Sequence, residues 1–327
     1  MQQVTDSTLP GLDEIRGAAE LVYRTMPATP QYTWPLLNER AGAEIWVKHE
    51  NYSPVGAFKI RGGVIYMDWL RRERPKVATV VSATRGNHGQ SIALAASRMG
   101  IRPVILVPHG NSREKNRAMQ SLGAKLIEHG EDFQAACEEA QRLSQENGWH
   151  LVPNYHRHLV AGVATYALEF LSSVPPVDTV YVPIGMGSGI CGMVAVRNEL
   201  GLPTRIVGVT SKHAPATALS LARGKVVEHA VSTRIADGVS CRRPDESALE
   251  VMRAGVERIV EVDDDEVEEA MRIYFSNTHN VVEGAGAVGL AGLLKDRPRG
   301  GARLGTVVSG GNVDIEVFAT VLKGYRR

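Results

Sequence analysis

From residue 77 onward the chain alternates short apolar runs with longer amphipathic stretches, and this rhythm limits the folds open to it. The runs at 77–82, 103–107 and 125–128 are rich in Val, Ile and Leu. Helical spacing follows each of them, at 89–99, 113–122 and 133–146. Unbroken apolar runs belong to strands that are covered on both faces. Joined by helices across short Gly or Pro breaks, they form a parallel sheet flanked by helices. A second series follows: a lead-in at 150–153, strands at 178–182, 205–209, 258–261 and 305–308, and helices at 159–171, from the glycine loop to 200, at 264–276 and at 285–294. The fold class is therefore α/β, with two mostly parallel twisted sheets. Two sheets give two lobes and a cleft between them, where ligands of open α/β sheets bind. The expected division puts 1–67 and 151–327 in a large lobe and 68–150 in a small one. Before the alternation comes an arm, 1–42, with helical spacing at 12–23 and 34–40, then a strand at 43–49. Residues 211–245 show no regular period.

Composition removes several function classes. A chain of 327 residues is long enough for a large core. Its formal charge of +1 gives no case for nucleic acid or an anionic membrane. No apolar run reaches the ~20 residues of a membrane span. Asp6, Asp13 and Glu14 interrupt the N-terminus, so it does not read as a secretory signal. Cys137, Cys191 and Cys241 are far apart, show no metal spacing and suit a reducing, cytoplasmic compartment. A small-molecule ligand remains the expected partner.

Several turns could carry chemistry. Ser53-Pro-Val-Gly-Ala-Phe-Lys-Ile-Arg-Gly-Gly63 joins the 43–49 strand to a helix at 64–70, with Lys59 just inside the helix start. The helix dipole disfavours a cation there, and Phe58 and Ile60 disfavour its charged form, so its pKa should fall. A lysine of lowered pKa is a carbonyl-trapping nucleophile; one on the surface beside a turn is a bystander. Pro183-Ile-Gly-Met-Gly-Ser-Gly-Ile-Cys-Gly192 lies between a strand and a helix, where glycines admit an anion to free N–H groups; it also reads as a tight turn without ligand. Ser82-Ala-Thr-Arg-Gly-Asn-His-Gly-Gln90 is either a capped turn or a set of donors for a carboxylate or phenolate. Ser309 ends a strand, and Glu283 precedes a small-residue helix as dipole partner or site residue. His156-Arg-His158 and Asp263-Asp-Asp265 read as solvated loop or helix ends.

Four segments then fall in order: Gly56-Ala-Phe-Lys-Ile-Arg-Gly62, Gly86-Asn-His-Gly-Gln90, the loop at 185–192, and Ser309-Gly-Gly-Asn-Val-Asp314. Together with Ile235-Ala-Asp-Gly-Val239 they resemble the fold-type II pyridoxal-phosphate enzymes (tryptophan synthase beta-like), in the branch of serine/threonine dehydratases and serine racemase. The resemblance covers residues 15–322. It implies pyridoxal 5'-phosphate in the cleft, a homodimer or higher homo-oligomer, and conversion of a β-hydroxy-α-amino acid to a 2-oxo acid and ammonia.

The resemblance also implies roles. Lys59 would form the Schiff base with the cofactor and act as the base at Cα, with Phe58 near the ring. Asn87 would bond the phenolate oxygen, Ser309 the pyridine nitrogen, and Gly185, Met186, Gly187, Ser188 and Gly189 the phosphate; Glu283 joins this cofactor set. Ser82, Thr84, Arg85, Gly86 and His88 would bind substrate. Ala57 and the Gly185-Met-Gly-Ser188 loop depart from the family pattern. Arg85 replaces a serine that acts as acid/base in serine racemase, and a guanidinium cannot serve as that base. That argues against racemisation; Arg85, a candidate for the reaction together with Lys59, would bind a distal group on the substrate or point to solvent. Threonine and serine are the default substrates. Arg85, Tyr155-His-Arg-His158, and Val163 where relatives often carry Gln leave room for 3-hydroxyaspartate, phenylserine or a hydroxyectoine breakdown intermediate. Thr210 stands where some relatives place a metal-binding Glu, so no metal is expected, and no C-terminal regulatory domain is expected. A non-catalytic α/β binding protein is the reading from a different class, for which Lys59 would be dispensable.

Overall fold

The computed structural model describes residues 9–296 and 301–324; Asp6 lies outside them. The arm forms α1 (Leu12–Tyr23), a strand β1 (Gln31–Thr33) and α2 (Pro35–Ala41). Pro35 sits in the first turn of α2, where its missing N–H costs nothing. β1 is too short to show a period, so its sequence does not reveal it.

β2 (Glu44–His49) leads into α3 (Lys59–Glu73), which is longer than its apolar spacing suggested and has Lys59 as its first residue. Alternation follows through β3 (Thr79–Ala83), α4 (Asn87–Arg98), β4 (Arg102–Val107), α5 (Arg113–Ser121), β5 (Lys125–Glu128), α6 (Phe133–Asn147) and β6 (His150–Leu151). It resumes with α7 (Arg157–Ser173), β7 (Thr179–Pro183), α8 (Ser188–Glu199) and β8 (Arg205–Ser211). The irregular stretch proves to contain α9 (Ala216–Arg223), and α10 (Glu246–Gly255) follows it. β9 (Arg258–Val262), α11 (Asp264–Thr278), α12 (Gly284–Asp296), β10 (Arg303–Val308) and α13 (Ile315–Lys323) complete the chain.

Among the described residues there are two sheets. One has the order β1-β2-β10-β7-β8-β9, the other β5-β4-β3-β6. Every pairing is parallel except that of β1 with β2. The expected pair of parallel-rich sheets is therefore what the chain forms. Both faces of each sheet are covered, which explains the unbroken apolar runs. Tyr274, Val288 and Leu290 pack one face of the larger sheet, and Val160, Phe170 and Val194 the other. Ile92 and Met119 pack with Ile105 on one face of the smaller sheet, and Ala140 with Val81 and Leu106 on the other.

α3 is held by a close crossing and a buried ion network. A Cβ on Gly162 of α7 would lie 2.1 Å from the Arg61 carbonyl oxygen, so only glycine allows the approach. Arg61 is fully buried. Its Nε donates to Glu50 Oε2 at 2.7 Å, and its Nη1 to Glu169 Oε1 at 2.6 Å. Lys48 Nζ donates to Glu169 Oε2 at 2.6 Å. Two cations and two carboxylates thus balance in the interior, as burial of charge requires.

The three aspartates begin a helix as expected, but Asp264 is not solvated: it is buried and accepts from Thr233 Oγ1 at 2.6 Å and Arg234 N at 2.8 Å. Asp263 accepts from Glu266 N at 3.0 Å while Glu266 Oε2 accepts from Asp263 N at 2.8 Å, a capping box. The 156–158 cluster is not a solvated end. Trp69 stacks on His158 at 4.8 Å, and Arg157 makes two bonds to Glu14, at 2.6 and 2.7 Å.

Candidate active site

The site lies where the carboxyl ends of β3, β7 and β10 meet the start of α3. An antiparallel bridge between Ala57 and Gly310 docks the Lys59 turn against the segment after β10. Phe58 N donates to Ser309 O at 3.1 Å and Gly311 N to Gly56 O at 2.9 Å. Lys59 Nζ donates to Ser188 Oγ at 3.1 Å and sits 4.8 Å from the Phe58 ring centroid. Burial pulls its pKa down to about 8. Phe58 is fixed edge-on against Tyr166, whose hydroxyl donates to Gly189 O at 3.0 Å.

Ser188 opens α8, and the loop before it is shaped by glycine. Gly187 has φ +103, and a Cβ there would come 2.8 Å from Ala248 Cβ. The first N–H groups of α8 have no partners inside the helix and carry the positive end of its dipole. Such a loop can hold a phosphate at the end of the lysine side chain.

On the other wall, Thr84 Oγ1 accepts from Gly86 N at 2.9 Å and Gly89 N at 3.2 Å, fixing the turn into α4. Asn87 donates through Nδ2 to Glu283 Oε1, and its Oδ1 accepts from Asn312 Nδ2 at 2.8 Å. Lys115 of α5 crosses the cleft to Glu283 at 3.1 Å and Asp237 at 3.0 Å. Burial disfavours the charge on Lys115, but Glu283 and Asp237 outweigh it and hold the amine above its ordinary value. Burial pushes the Glu283 carboxyl up, against the pull of Lys115. His88 is 8% exposed, and its Nε2 has no hydrogen-bond partner. Burial, and then the nearby Lys59, hold its pKa at about 3, so the ring is neutral.

The cleft gathers Phe58, Lys59, Thr84, Arg85, Gly86, Asn87, His88, the 185–189 loop, Glu283 and Ser309. Ser82 stays outside: it is fully buried in β3 and donates to Val152 O at 2.9 Å. Lys115 escaped the sequence reading because a lysine inside an amphipathic helix carries no mark. Asp237 had one, its place in the 235–239 segment. Among the described residues no group of three or more His, Cys, Asp or Glu side chains is placed to hold a metal ion.

The site is tested for pyridoxal phosphate by its own donors. It offers a lysine amine of lowered pKa, a glycine cradle at a helix N-terminus, and the unpartnered His88 Nε2. The Ser309 hydroxyl makes only a long bond, 3.4 Å, to Ala285 O and is available to a ring nitrogen. Asn87 Nδ2 keeps a second hydrogen for a ring oxygen. The residues fit the cofactor.

Fold and site together define an α/β enzyme whose cleft, between two sheets, can hold a phosphorylated carbonyl cofactor beside a lysine. The model of the pyridoxal-phosphate dependent enzyme family matches residues 23–310, and the chain belongs to that family. It is 32% identical over 312 residues to the L-threonine ammonia-lyase of Thermotoga maritima, covering 95% of this chain and 78% of that one. It is 31% identical over 318 residues to the L-threo-3-hydroxyaspartate ammonia-lyase of Saccharomyces cerevisiae, covering 97% of each. Among solved structures, maize serine racemase superposes with a TM-score of 0.88 at 29% identity, over 96% of this chain and 97% of that one.

Proposed function

We propose that this chain is a pyridoxal-phosphate-dependent ammonia-lyase that converts a β-hydroxy-α-amino acid to a 2-oxo acid and ammonia. The observation that carries the reading is the Lys59 amine, lowered to about pKa 8 and held by Ser188 at the mouth of a glycine cradle. When bound, the cofactor supplies the electron sink that lets the Cα–H bond break and the β-hydroxyl depart. Lys59 Nζ takes the Cα proton, and a pKa near 8 suits a base working near neutrality. Gly185, Met186, Gly187, Ser188 and Gly189 would hold the phosphate through the N-terminus of α8. Phe58 would wall the ring, and Asn87, held by Glu283, would offer its amide to the ring oxygen. Ser309 would offer the ring nitrogen a neutral hydroxyl. The Thr84 hydroxyl hydrogen and the neutral His88 bind the substrate carboxylate at the start of α4, in the turn that Gly86 N fixes by donating to Thr84 Oγ1.

The strand membership of the two sheets supports the division into 1–67 with 151–327 and 68–150. The exposed Ile315, Val317 and Phe275 on α11 and α13 support association into a homodimer or larger homo-oligomer. Among the described residues no helix is long and apolar enough to cross a membrane. With three free cysteines, that supports a cytoplasmic setting.

The test is a visible absorbance spectrum and an assay of 2-oxo acid release from a panel of hydroxy amino acids. The expected result is a cofactor band, and turnover, both lost in Lys59→Ala. A protein that shows no band after reconstitution overturns the reading.

A further inference from the structure

We propose that Arg85 reads a second anionic group on the substrate, so that the preferred amino acid carries a carboxylate on its hydroxyl-bearing carbon. The inference rests on the lyase reading above and names its substrate class. It begins with the charges that line the cleft. The cations are Lys59, Arg85 and Lys115, and the acids are Asp237 and Glu283. Lys115 occupies both acids, at 3.0 and 3.1 Å. Lys59 is committed to Ser188. Arg85 is half-buried, and among the described residues it has neither an acid nor a hydrogen-bond partner.

An arginine cannot shed its charge at any working pH, so a partly desolvated guanidinium calls for an anion. The cofactor phosphate has its own place at the α8 cradle. The substrate α-carboxylate has the free N–H groups at the start of α4 and the unpartnered His88 Nε2. What remains for Arg85 is a further anion, and its planar fork matches a carboxylate with two parallel hydrogen bonds. Its backbone cannot drift. Thr84 Oγ1 holds Gly86 N and Gly89 N, and the aliphatic chain of Lys115 lies so close to Gly86 that a Cβ there would meet its Cδ at 2.5 Å. The reaction stays redox-neutral. A 3-hydroxy-2-amino diacid loses its β-hydroxyl as water, and one water returns in hydrolysis of the C–N bond. The products are the 2-oxo diacid and ammonia.

The experiment compares kcat/KM for 3-hydroxyaspartate, in its threo and erythro forms, with that for threonine, on holoenzyme. Wild type should prefer one form of the diacid. In Arg85→Gln the diacid-to-threonine ratio should fall by about tenfold to hundredfold, the range a charged hydrogen bond commands, and Arg85→Lys should recover part of it. The cofactor absorbance of each variant reports an intact site. A wild-type preference for threonine overturns the inference while leaving the lyase reading in place. An unchanged ratio in Arg85→Gln also overturns it, because an Arg85 that held the α-carboxylate would slow both substrates alike. Holoenzyme that releases no 2-oxo acid from any of them removes the lyase reading and this inference together.

Discussion

Replacing Arg61 by methionine should destabilise the protein severely, although the side chain never touches the cleft. Arg61 is fully buried and bonds Glu50 at 2.7 and 3.0 Å and Glu169 at 2.6 and 2.9 Å. Lys48 supplies the second cation, through Glu169 alone among the carboxylates. Arg61→Met leaves one uncompensated negative charge, and Glu50 loses its only ion pair among the described residues. Breaking such a pair costs about 3–5 kcal/mol, against a total stability of about 5–15 kcal/mol. Charge balance can be restored by a second change, Glu50→Gln. If the cost is electrostatic, the double variant should be less destabilised than the sum of the singles, by about 1–3 kcal/mol. Equilibrium urea unfolding, read by tryptophan fluorescence, measures all four proteins of the cycle. A loss under about 1 kcal/mol for Arg61→Met, or strict additivity in the cycle, would refute the reasoning. Because Lys59 lies two residues before Arg61 on α3, cofactor affinity should weaken in the single variant as well.

The Lys59 amine, at about 8 rather than the ordinary 10.5, should be roughly one-tenth neutral at pH 7, where an unperturbed lysine would be about 0.03% neutral. Uptake of pyridoxal phosphate by apoprotein, followed by absorbance, should therefore speed up with pH and level off above about pH 8; a rate still rising tenfold per unit near pH 10 would contradict this. Gly187→Ala forces a Cβ onto a backbone at φ +103 and to within 2.8 Å of Ala248 Cβ. At about 1–3 kcal/mol of strain, the cofactor Kd should rise by about fivefold to 150-fold, and an unaltered titration would count against the cradle. Burial holds His49 at about 4 and His88 at about 3, so both are neutral in the folded chain. Below about pH 6.5 the unfolded chain binds more protons than the folded one, so this stability is complete above pH 6.5 and declines as pH falls toward 4. The Tm should be lower at pH 5 than at pH 7; the reverse order would show that these rings are not the controlling groups.

Much of this protein was written in local sequence. The apolar-rich runs at 77–82 and 103–107 specify strands buried on both faces because no charged residue interrupts them. Gly187 specifies a turn because the loop needs a positive φ. The lowered pKa of Lys59 followed from its apolar neighbours. These features depend on residues a few positions apart, where periodicity and backbone sterics act. Tertiary structure decided the rest. It inserted β10 between β2 and β7, which put Ser309 beside Phe58. It turned His156 and His158 from a charged-looking loop into an aromatic stack with Trp69, and it kept Ser82 away from the cleft. It also brought Lys115 to Asp237, a partner 122 positions away, and so left Arg85 in the cleft with neither an acid nor a hydrogen-bond partner among the described residues. Such pairings are set by which charges must be neutralised once water is excluded, and that condition exists only after the sheets have packed.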